Sequence, residues 1–233
     1  MESDHRYSRV AKYDEYSMDL SKVYYRKIIR EVTQFLKKGT ILDVGCYDGS
    51  LGEIFLNKGY EVYGIEAHDG ACTKACQKGI RVIKKNIEEG MPWEQDSFDC
   101  VIAAEIIEHL YDTDRFLNDI KRVLKKDGIL VMSIPNVACF TNRLKLLLGS
   151  YPRYCEYQAG EGGGHIRVYT LKAIKDQLVQ RGFEVLAASG ANFPLPMHVK
   201  AIPLFIKKIA IGLGDYTPGL AGQIIITARN RKV

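Results

Sequence analysis

Long apolar runs are missing from this 233-residue chain, and none reaches the ~18 residues that a membrane-spanning helix needs. The start of the sequence, Met1–Arg6, is charged and lacks the apolar core of a signal peptide. We therefore expect a cytoplasmic protein. Apolar residues make up 46% of the chain and charged residues 26%, which is ordinary for a globular protein and excludes a disordered one.

Cys-x-x-Cys pairs are also missing, although the chain has six cysteines. Cys72 and Cys76 lie four positions apart on a predicted helix, but no second pair accompanies them, so we expect reduced packing thiols and not a zinc site. The 33 Lys+Arg against 28 Asp+Glu give a mild +5, with the basic residues scattered. This charge allows an anionic partner without requiring one. The sequence has no block of basic residues interleaved with aromatics, which is the pattern typical of nucleic-acid binding.

Strand and helix patterns alternate along most of the sequence. Strands are predicted at 40–44, 62–65, 81–84, 98–103, 129–134, 183–188 and 223–228, and helices at 23–36, 50–57, 71–77, 114–124 and 171–181. This rhythm indicates right-handed crossovers and a mainly parallel sheet with helices on both faces. We predict one α/β domain over 1–233, with an N-terminal helical cap over 1–38.

The alternation breaks between 137 and 168, where the chain holds a cluster of glycines at 160–164. A long glycine-bearing insertion is typical of a lid or substrate-binding loop, and a plain surface loop is the alternative. Further on, residues 202–213 form an amphipathic stripe flanked by lysines. Such a stripe usually packs on the core, and contact with a membrane surface or an amphiphilic acceptor is the alternative.

The turn after the first strand carries the first functional signal, because ligands bind at the carboxyl ends of strands in an open parallel sheet. Gly45 and Gly49 allow a sharp turn close to a ligand, and the following helix directs its free N–H groups there. Tyr47 stands where the dinucleotide motif Gly-x-Gly-x-x-Gly needs glycine, which weakens a nicotinamide interpretation. No Gly-Lys-Ser/Thr of a phosphate-binding loop follows.

Two further strand ends carry candidate cofactor contacts. Glu66 ends the second strand, where a carboxylate accepts hydrogen bonds from ribose hydroxyls. A solvated acid at a strand end is the alternative. Asn86 and Ile87 follow the third strand, where an amide pairs with an adenine edge and an apolar side chain presses on the ring; a plain turn asparagine is the alternative.

Several motifs together resemble the class I S-adenosylmethionine-dependent methyltransferases. They are LDVGCYDG at 42–49, GIE at 64–66, WEQDSFDCV at 93–101, EIIEHL at 105–110, RVLKKDG at 122–128 and SIPN at 133–136. They look like the small-molecule branch found in ubiquinone and methionine biosynthesis and in glycan methylation. Residues 40–136 carry the resemblance strongly, and residues 165–190 carry it moderately.

The resemblance implies a Rossmann-like, doubly wound, three-layer fold of seven strands in the order 3-2-1-4-5-7-6, with the last strand antiparallel. It also implies S-adenosylmethionine as the cofactor. The implied contacts are Asp43, Gly45, Cys46 and Gly49 at the methionine part, Glu66 with Ala67 at the ribose, Asn86 and Ile87 at the adenine, and Ala104 with Glu105 facing the methyl donor. Two residues depart from the family pattern: Tyr47 replaces a glycine, and Asn86 an aspartate.

The expected reaction is in-line transfer of the methyl group with water excluded, where positioning contributes ~7–11 kcal/mol. A hydroxyl acceptor gains ~10²–10⁴-fold from a base. The candidate catalytic residues are His165, His109 and Glu105, and a loop-orienting role is the alternative for His109. The sequence shows no group of metal ligands, so no metal is expected and metal-assisted catechol chemistry is disfavoured.

The acceptor is expected to be a small molecule, a sugar or a lipid-linked compound, methylated at oxygen. Enzymes that methylate exocyclic amines of nucleic acids carry Asn/Asp-Pro-Pro-aromatic after the fourth strand, where this chain reads AAEI at 103–106. Pyrimidine C5 methylation needs a Pro-Cys dipeptide, which the chain lacks. Two alternatives stay open: a cofactor-binding regulatory protein without turnover, and a nicotinamide-dependent oxidoreductase.

Overall fold

The computed structural model describes residues 19–20, 22–155, 164–192 and 212–232. The helices are α1 (Val23–Phe35), α2 (Ser50–Leu56), α3 (Asp69–Gln77), α4 (Thr113–Val123), α5 (Phe140–Leu147) and α6 (Leu171–Gln180). The strands are β1 (Thr40–Val44), β2 (Glu61–Glu66), β3 (Arg81–Lys84), β4 (Phe98–Ala104), β5 (Leu124–Pro135), β6 (Phe183–Ala191) and β7 (Gln223–Asn230).

These strands form one seven-stranded sheet in the order β3-β2-β1-β4-β5-β7-β6. Pairing is parallel from β3 to β5, and β7 runs antiparallel to both β5 and β6. The predicted Rossmann-like order, with its last strand antiparallel, is confirmed. The strand order reverses between β1 and β4, so the carboxyl ends of these two strands border the crevice where ligands bind in such sheets.

Apolar side chains cover both faces of the sheet, because successive residues of a strand point to opposite sides. On one face, Leu42 and Val44 of β1 share a cluster with Leu117 of α4 and Ile174 of α6. On the other face, Ile41 shares a second cluster with residues of α1, α2 and α3. The sheet is therefore the middle layer of three, as predicted.

The fifth strand begins earlier than the sequence predicts. The sequence indicates a helix that continues to Leu124 and a strand from Ile129, but β5 already starts at Leu124. Residues 125–128 lack the apolar alternation of a strand, yet Leu124 pairs with Phe98, and the register shifts before Cys100. A bulge of this kind adds residues to a strand, and those residues lack the alternation of apolar and polar side chains by which a strand is predicted.

A buried cation fixes α1 to the C-terminal part of the chain. Lys27 Nζ donates to the Gly190 carbonyl oxygen at 2.6 Å and pairs with an Asp215 carboxylate oxygen at 2.6 Å. Lys27 is only 4% exposed, and a buried ammonium group needs partners of this kind. The cap proposed for 1–38 includes residues 1–18 and 21, which lie outside the described residues, so the cap stays a prediction.

The insertion after β5 begins and ends at neighbouring positions. Asn136 and Tyr169 form a parallel bridge, and the Val137 N–H donates to the Tyr169 carbonyl oxygen at 3.0 Å. Helix α5 lies within this insertion, and residues 156–163 lie outside the described residues. The lid or substrate-binding role of 137–168 stays a prediction.

The amphipathic segment predicted at 202–213 falls almost entirely outside the described residues, and its contact with a membrane surface stays a prediction. Across the described ranges, every helix is too short or too polar to cross a bilayer.

Candidate active site

The turn after β1 lies against the end of β2 and against the loop after β4. The N–H groups of Gly45 and Cys46 donate to the Ile65 carbonyl oxygen at 2.8 and 3.3 Å. Gly45 and Gly49 have φ angles of +67° and +75°, which glycine adopts without strain. A Cβ atom on Gly45 would overlap the side chain of Ile106. The predicted glycine turn therefore touches the loop that was expected to face the methyl donor.

Tyr47 adopts a backbone conformation that glycine normally supplies. Its φ angle is +48°, and an L residue in this region costs roughly 1–2 kcal/mol. The Tyr47 N–H donates to Glu66 Oε2 at 3.0 Å. The turn thus keeps the glycine-type geometry despite the substitution, and a hydrogen bond to the next strand holds it in place.

Glu66 connects the ends of β1 and β2. Besides the Tyr47 N–H, its carboxylate accepts the N–H groups of Ala67 and His68 at Oε1, at 2.8 and 3.0 Å. An ionised carboxylate offers about four acceptor positions, so capacity remains for a ligand hydroxyl. The Glu66 side chain therefore links the end of β2 to the turn that follows β1.

Asp43 of β1 is a buried carboxyl group with an unsatisfied oxygen. It is 2% exposed, and its Oδ2 atom has no hydrogen-bond partner among the described residues. Burial, together with repulsion from Glu66, raises the pKa of Asp43 to about 7. A nearby positive charge stabilises the ionised form of such a group. This end of the crevice therefore favours a ligand that carries positive charge.

Asn86 and Ile87 lie after β3, where the adenine contacts were predicted. Asn86 Oδ1 accepts the Glu88 N–H at 3.0 Å and caps the short 3₁₀ helix Ile87–Glu89. This cap is the turn role that the sequence left as the alternative. Because the amide oxygen already serves the backbone, we expect the Nδ2 group to make any contact with a base. Ile87 packs partly buried against the apolar cluster.

A polar network that the sequence did not reveal fixes the start of α2. Asp48 accepts the Ser50 N–H at 3.0 Å and the Ser50 hydroxyl at 2.9 Å, and Lys78 Nζ lies 3.2 Å from Asp48 Oδ2. Although burial opposes it, the hydrogen bonds from Ser50 and the ion pair with Lys78 lower the pKa of Asp48. This network ties the glycine turn to the end of α3.

Glu105 follows Ala104 at the end of β4 and is held by two other strands. Its N–H donates to the Ser133 carbonyl oxygen at 3.0 Å, and the Ser133 hydroxyl donates to Oε1 at 2.8 Å. Gln223 Nε2 donates to Oε2 at 3.4 Å. Burial raises the pKa of Glu105, whose φ angle is +56°. The sequence proposed Glu105 but gave no sign of Ser133 and Gln223, which reach it from β5 and β7.

The structure brings His109 and His165 together. Their ring centroids are 4.9 Å apart, with the planes tilted by 55°. His109 Nδ1 lies 3.1 Å from the Gly164 carbonyl oxygen, and His165 Nδ1 lies 3.4 Å from the Tyr154 carbonyl oxygen. A carbonyl oxygen only accepts hydrogen bonds, so each of these contacts favours the form of the ring with a proton on Nδ1.

Glu108 is a site residue that sequence reasoning missed. Its side chain is 2% exposed, neither oxygen has a hydrogen-bond partner among the described residues, and Oε1 lies 4.0 Å from His109 Nε2. Burial, with repulsion from Glu105 added, raises its pKa well above the usual range. Ligand-capable atoms of Glu108, His109 and His165 all lie within 4.8 Å of one another. Glu108 and His165 are far apart in the sequence, so only folding shows the group.

Comparison with known proteins identifies the family. Residues 16–188, most of the chain, match the family described as a methyltransferase domain. The chain belongs to this family. The resemblance seen in the sequence is thereby confirmed.

Relatives of this methyltransferase-domain chain include enzymes and uncharacterised proteins. A ubiquinone biosynthesis O-methyltransferase of Pelagibacter ubique is 31% identical over 112 residues, which cover 46% of this chain and 47% of that protein. The chain thus spans about half the length of that relative. An uncharacterised protein of Methanocaldococcus jannaschii is 26% identical over 222 residues, which cover 87% of each.

Solved structures agree on the fold. A SAM-dependent methyltransferase of Thermotoga maritima superposes with a TM-score of 0.68 and 19% identity, over 97% of this chain and 99% of that one. The family and fold imply S-adenosylmethionine as the cofactor. The residues present fit it: Glu66 retains acceptor capacity for ribose hydroxyls, and the unsatisfied Asp43 oxygen suits a cationic ligand.

Proposed function

We propose that this protein transfers a methyl group from S-adenosylmethionine to an oxygen atom of a small molecule. The observation that carries the proposal is the 3.0 Å hydrogen bond between the Tyr47 N–H and Glu66. It joins the ends of β1 and β2 into one binding edge. The cofactor supplies an electrophilic methyl group, so the protein has to bind, orient and exclude water.

The cofactor contacts in this proposal follow the strand ends. Glu66 and Ala67 hold the ribose, and Asp43 favours the positively charged methionine part. The remaining proposed contacts are Gly45, Cys46 and Gly49 in the turn, Asn86 and Ile87 at the adenine, and Ala104 beside the methyl group.

The acceptor end is proposed at the loop after β4. Ile106 of this loop touches Gly45, and the Glu108 carbonyl oxygen accepts the N–H groups of Ile166 and Arg167 at 2.9 and 3.1 Å. Those contacts support a site in which His109, His165 and Glu105 receive the acceptor and promote loss of its proton. The ubiquinone biosynthesis O-methyltransferases among the relatives support oxygen as the methylated atom. The same reaction would methylate a hydroxyl group of a sugar or of a lipid-linked compound.

Calorimetric titration with S-adenosylhomocysteine tests the cofactor half of the proposal. We expect one site in the wild type. Glu94→Ala changes an exposed carboxylate away from the strand ends and serves as the matched control. A folded wild type without binding at millimolar ligand, or equal affinity after Glu66→Ala, contradicts the proposal.

Transfer of a labelled methyl group to a panel of hydroxylated and amino compounds tests the reaction itself. We expect label on hydroxyl compounds and a large loss of rate in His165→Ala. Cofactor binding without transfer to any acceptor would instead identify a regulatory protein that keeps the fold. Stabilisation by NAD and not by S-adenosylhomocysteine in a thermal-shift comparison would identify an oxidoreductase.

A further inference from the structure

Glu108 holds a carboxyl group in the protein interior with no hydrogen-bond partner for either oxygen among the described residues. A buried polar group left unpaired costs ~1–3 kcal/mol, and a charged one costs more. Such groups are rare in native structures and mark a catalytic role or a ligand that satisfies them.

Two imidazole rings border this carboxyl group. His109 Nε2 lies 4.0 Å from Glu108 Oε1, and one ligand-capable atom from each of Glu108, His109 and His165 lies within 4.8 Å of the others. Around an ion with bonds of about 2.0–2.2 Å, ligand atoms lie roughly 3–3.5 Å apart. An approach of about 1 Å, within the reach of side-chain rotation, closes the group around one ion.

Backbone carbonyl groups favour the tautomer that a metal ligand requires. The carbonyl oxygens of Gly164 and Tyr154 accept from Nδ1 of His109 and His165, at 3.1 and 3.4 Å. In a neutral ring with its proton on Nδ1 the lone pair is on Nε2, and His109 Nε2 lies 4.0 Å from Glu108 Oε1. Metal-binding histidines are usually oriented in this way, with the other ring nitrogen donating to a carbonyl or carboxylate group.

We propose that Glu108, His109 and His165 bind one divalent transition-metal ion of the Mn²⁺ or Zn²⁺ type. Two imidazole nitrogens with one carboxylate suit such ions, whereas Mg²⁺ and Ca²⁺ prefer oxygen ligands throughout. Three protein ligands leave coordination positions open for a substrate oxygen. The sequence predicts no metal because the three ligands come from segments that only the fold brings together.

This inference rests on the proposed function and specifies its acceptor. Ile106, in the loop that carries Glu108 and His109, touches the cofactor turn at Gly45. A hydroxyl bound to the ion loses its proton to water more readily. Its oxygen then bonds to the methyl carbon while the sulfur–methyl bond breaks, and that electron pair stays on sulfur. The open positions suit an acceptor with two neighbouring oxygens, such as adjacent hydroxyls or a hydroxyl beside a carbonyl.

The test is metal binding by the full chain after treatment with a chelator, without cofactor. Mn²⁺ is followed by the paramagnetic resonance of the free ion, and Zn²⁺ by calorimetry. We expect one ion per wild-type chain and at least about tenfold weaker binding in Glu108→Gln and His165→Gln. Glu184→Gln, which changes an exposed carboxylate paired with Arg231, is the matched control and should bind as the wild type does.

Thermal unfolding distinguishes a variant that has lost a metal-binding side chain from a variant that does not fold. Glu108→Gln keeps the size and shape of the side chain, so we expect it to fold, and added Mn²⁺ should raise the Tm of the wild type but not of this variant. A folded wild type that binds neither ion, or equal affinity in Glu108→Gln and His165→Gln, overturns the inference. If S-adenosylhomocysteine still binds in that case, the proposed function is retained and only the metal site is rejected. Ion binding without cofactor binding supports the metal site and overturns the proposed function.

Discussion

The two ends of the crevice are built in different ways. At the β1–β2 end, Glu66 satisfies three backbone N–H groups, and every residue involved lies within one stretch of chain. At the β4–β5 end, Glu105 draws its partners from β5 and β7, and Glu108 meets His165 across the insertion. The first end is a local motif in which one carboxylate satisfies three N–H groups, and only one oxygen of Asp43 lacks a partner among the described residues. The second is assembled from distant segments, and both oxygens of Glu108 lack a partner among the described residues, so we expect the chemistry to vary there.

The largest effect expected at the β1–β2 end concerns pH. Since burial raises the folded-state pKa of Asp43 to about 7, well above the ordinary pKa of an aspartate, the unfolded chain ionises first as pH rises. Stability from this group is therefore complete below pH 4 and declines through pH 7, by roughly 4 kcal/mol at most. Urea unfolding at pH 5 and pH 8 should show a smaller decline in Asp43→Asn than in the wild type. Equal declines would contradict the shift.

Loss of the Glu66 carboxylate should come next in size. Glu66→Ala removes the acceptor for three N–H groups and for the proposed ribose hydroxyls. Charge-assisted hydrogen bonds contribute ~1.5–3 kcal/mol each, so we expect about a 100-fold loss of S-adenosylhomocysteine affinity by calorimetry. Glu66→Gln keeps the shape of the side chain and one acceptor oxygen. Its affinity for S-adenosylhomocysteine should lie between that of the wild type and that of Glu66→Ala. Affinity within twofold of the wild type would remove Glu66 from the site.

A substitution in the insertion after β5, near the β4–β5 end of the crevice, should leave cofactor binding intact. Asn142 Nδ2 donates to the carbonyl oxygens of Val137 and Arg153, and Oδ1 accepts the Arg153 N–H. Asn142→Ala leaves these groups unpaired and should cost ~1–3 kcal/mol, with faster proteolysis of the insertion and unchanged S-adenosylhomocysteine affinity. Leu147→Ala, at an 81% exposed position of α5, is the control. A matching loss of cofactor affinity would show that the two ends are not independent.

The smallest effect on cofactor affinity is expected at Tyr47. Its positive φ angle favours glycine, so Tyr47→Gly relieves backbone strain of roughly 1 kcal/mol. The Tyr47 side chain is buried, however, so its removal leaves a cavity and should lower the free energy of unfolding by about 2–4 kcal/mol. We expect cofactor affinity that is equal to or higher than that of the wild type. Because the N–H to Glu66 is retained in this variant, a tenfold loss of affinity would show that the Tyr47 side chain itself contacts the ligand.

The contrast between the two ends also explains what the sequence reveals. Gly45, Gly49 and Glu66 lie in short motifs at strand ends, so spacing and resemblance point to the cofactor end. The start of β5 is hidden because a bulge interrupts its period. Glu108 is hidden because its environment depends on residues 164–167, which are distant in the sequence and contact it only in the folded chain.

The bridge between Asn136 and Tyr169 has a practical consequence for redesign. Since the insertion leaves and rejoins the sheet at adjacent backbone positions, 137–168 behaves as a cassette with a fixed base. If the insertion binds substrate as proposed, we expect a segment of different length and chemistry, grafted between the same two anchor points, to change which acceptors are methylated. The residues proposed to bind the cofactor lie outside this segment and would stay unchanged.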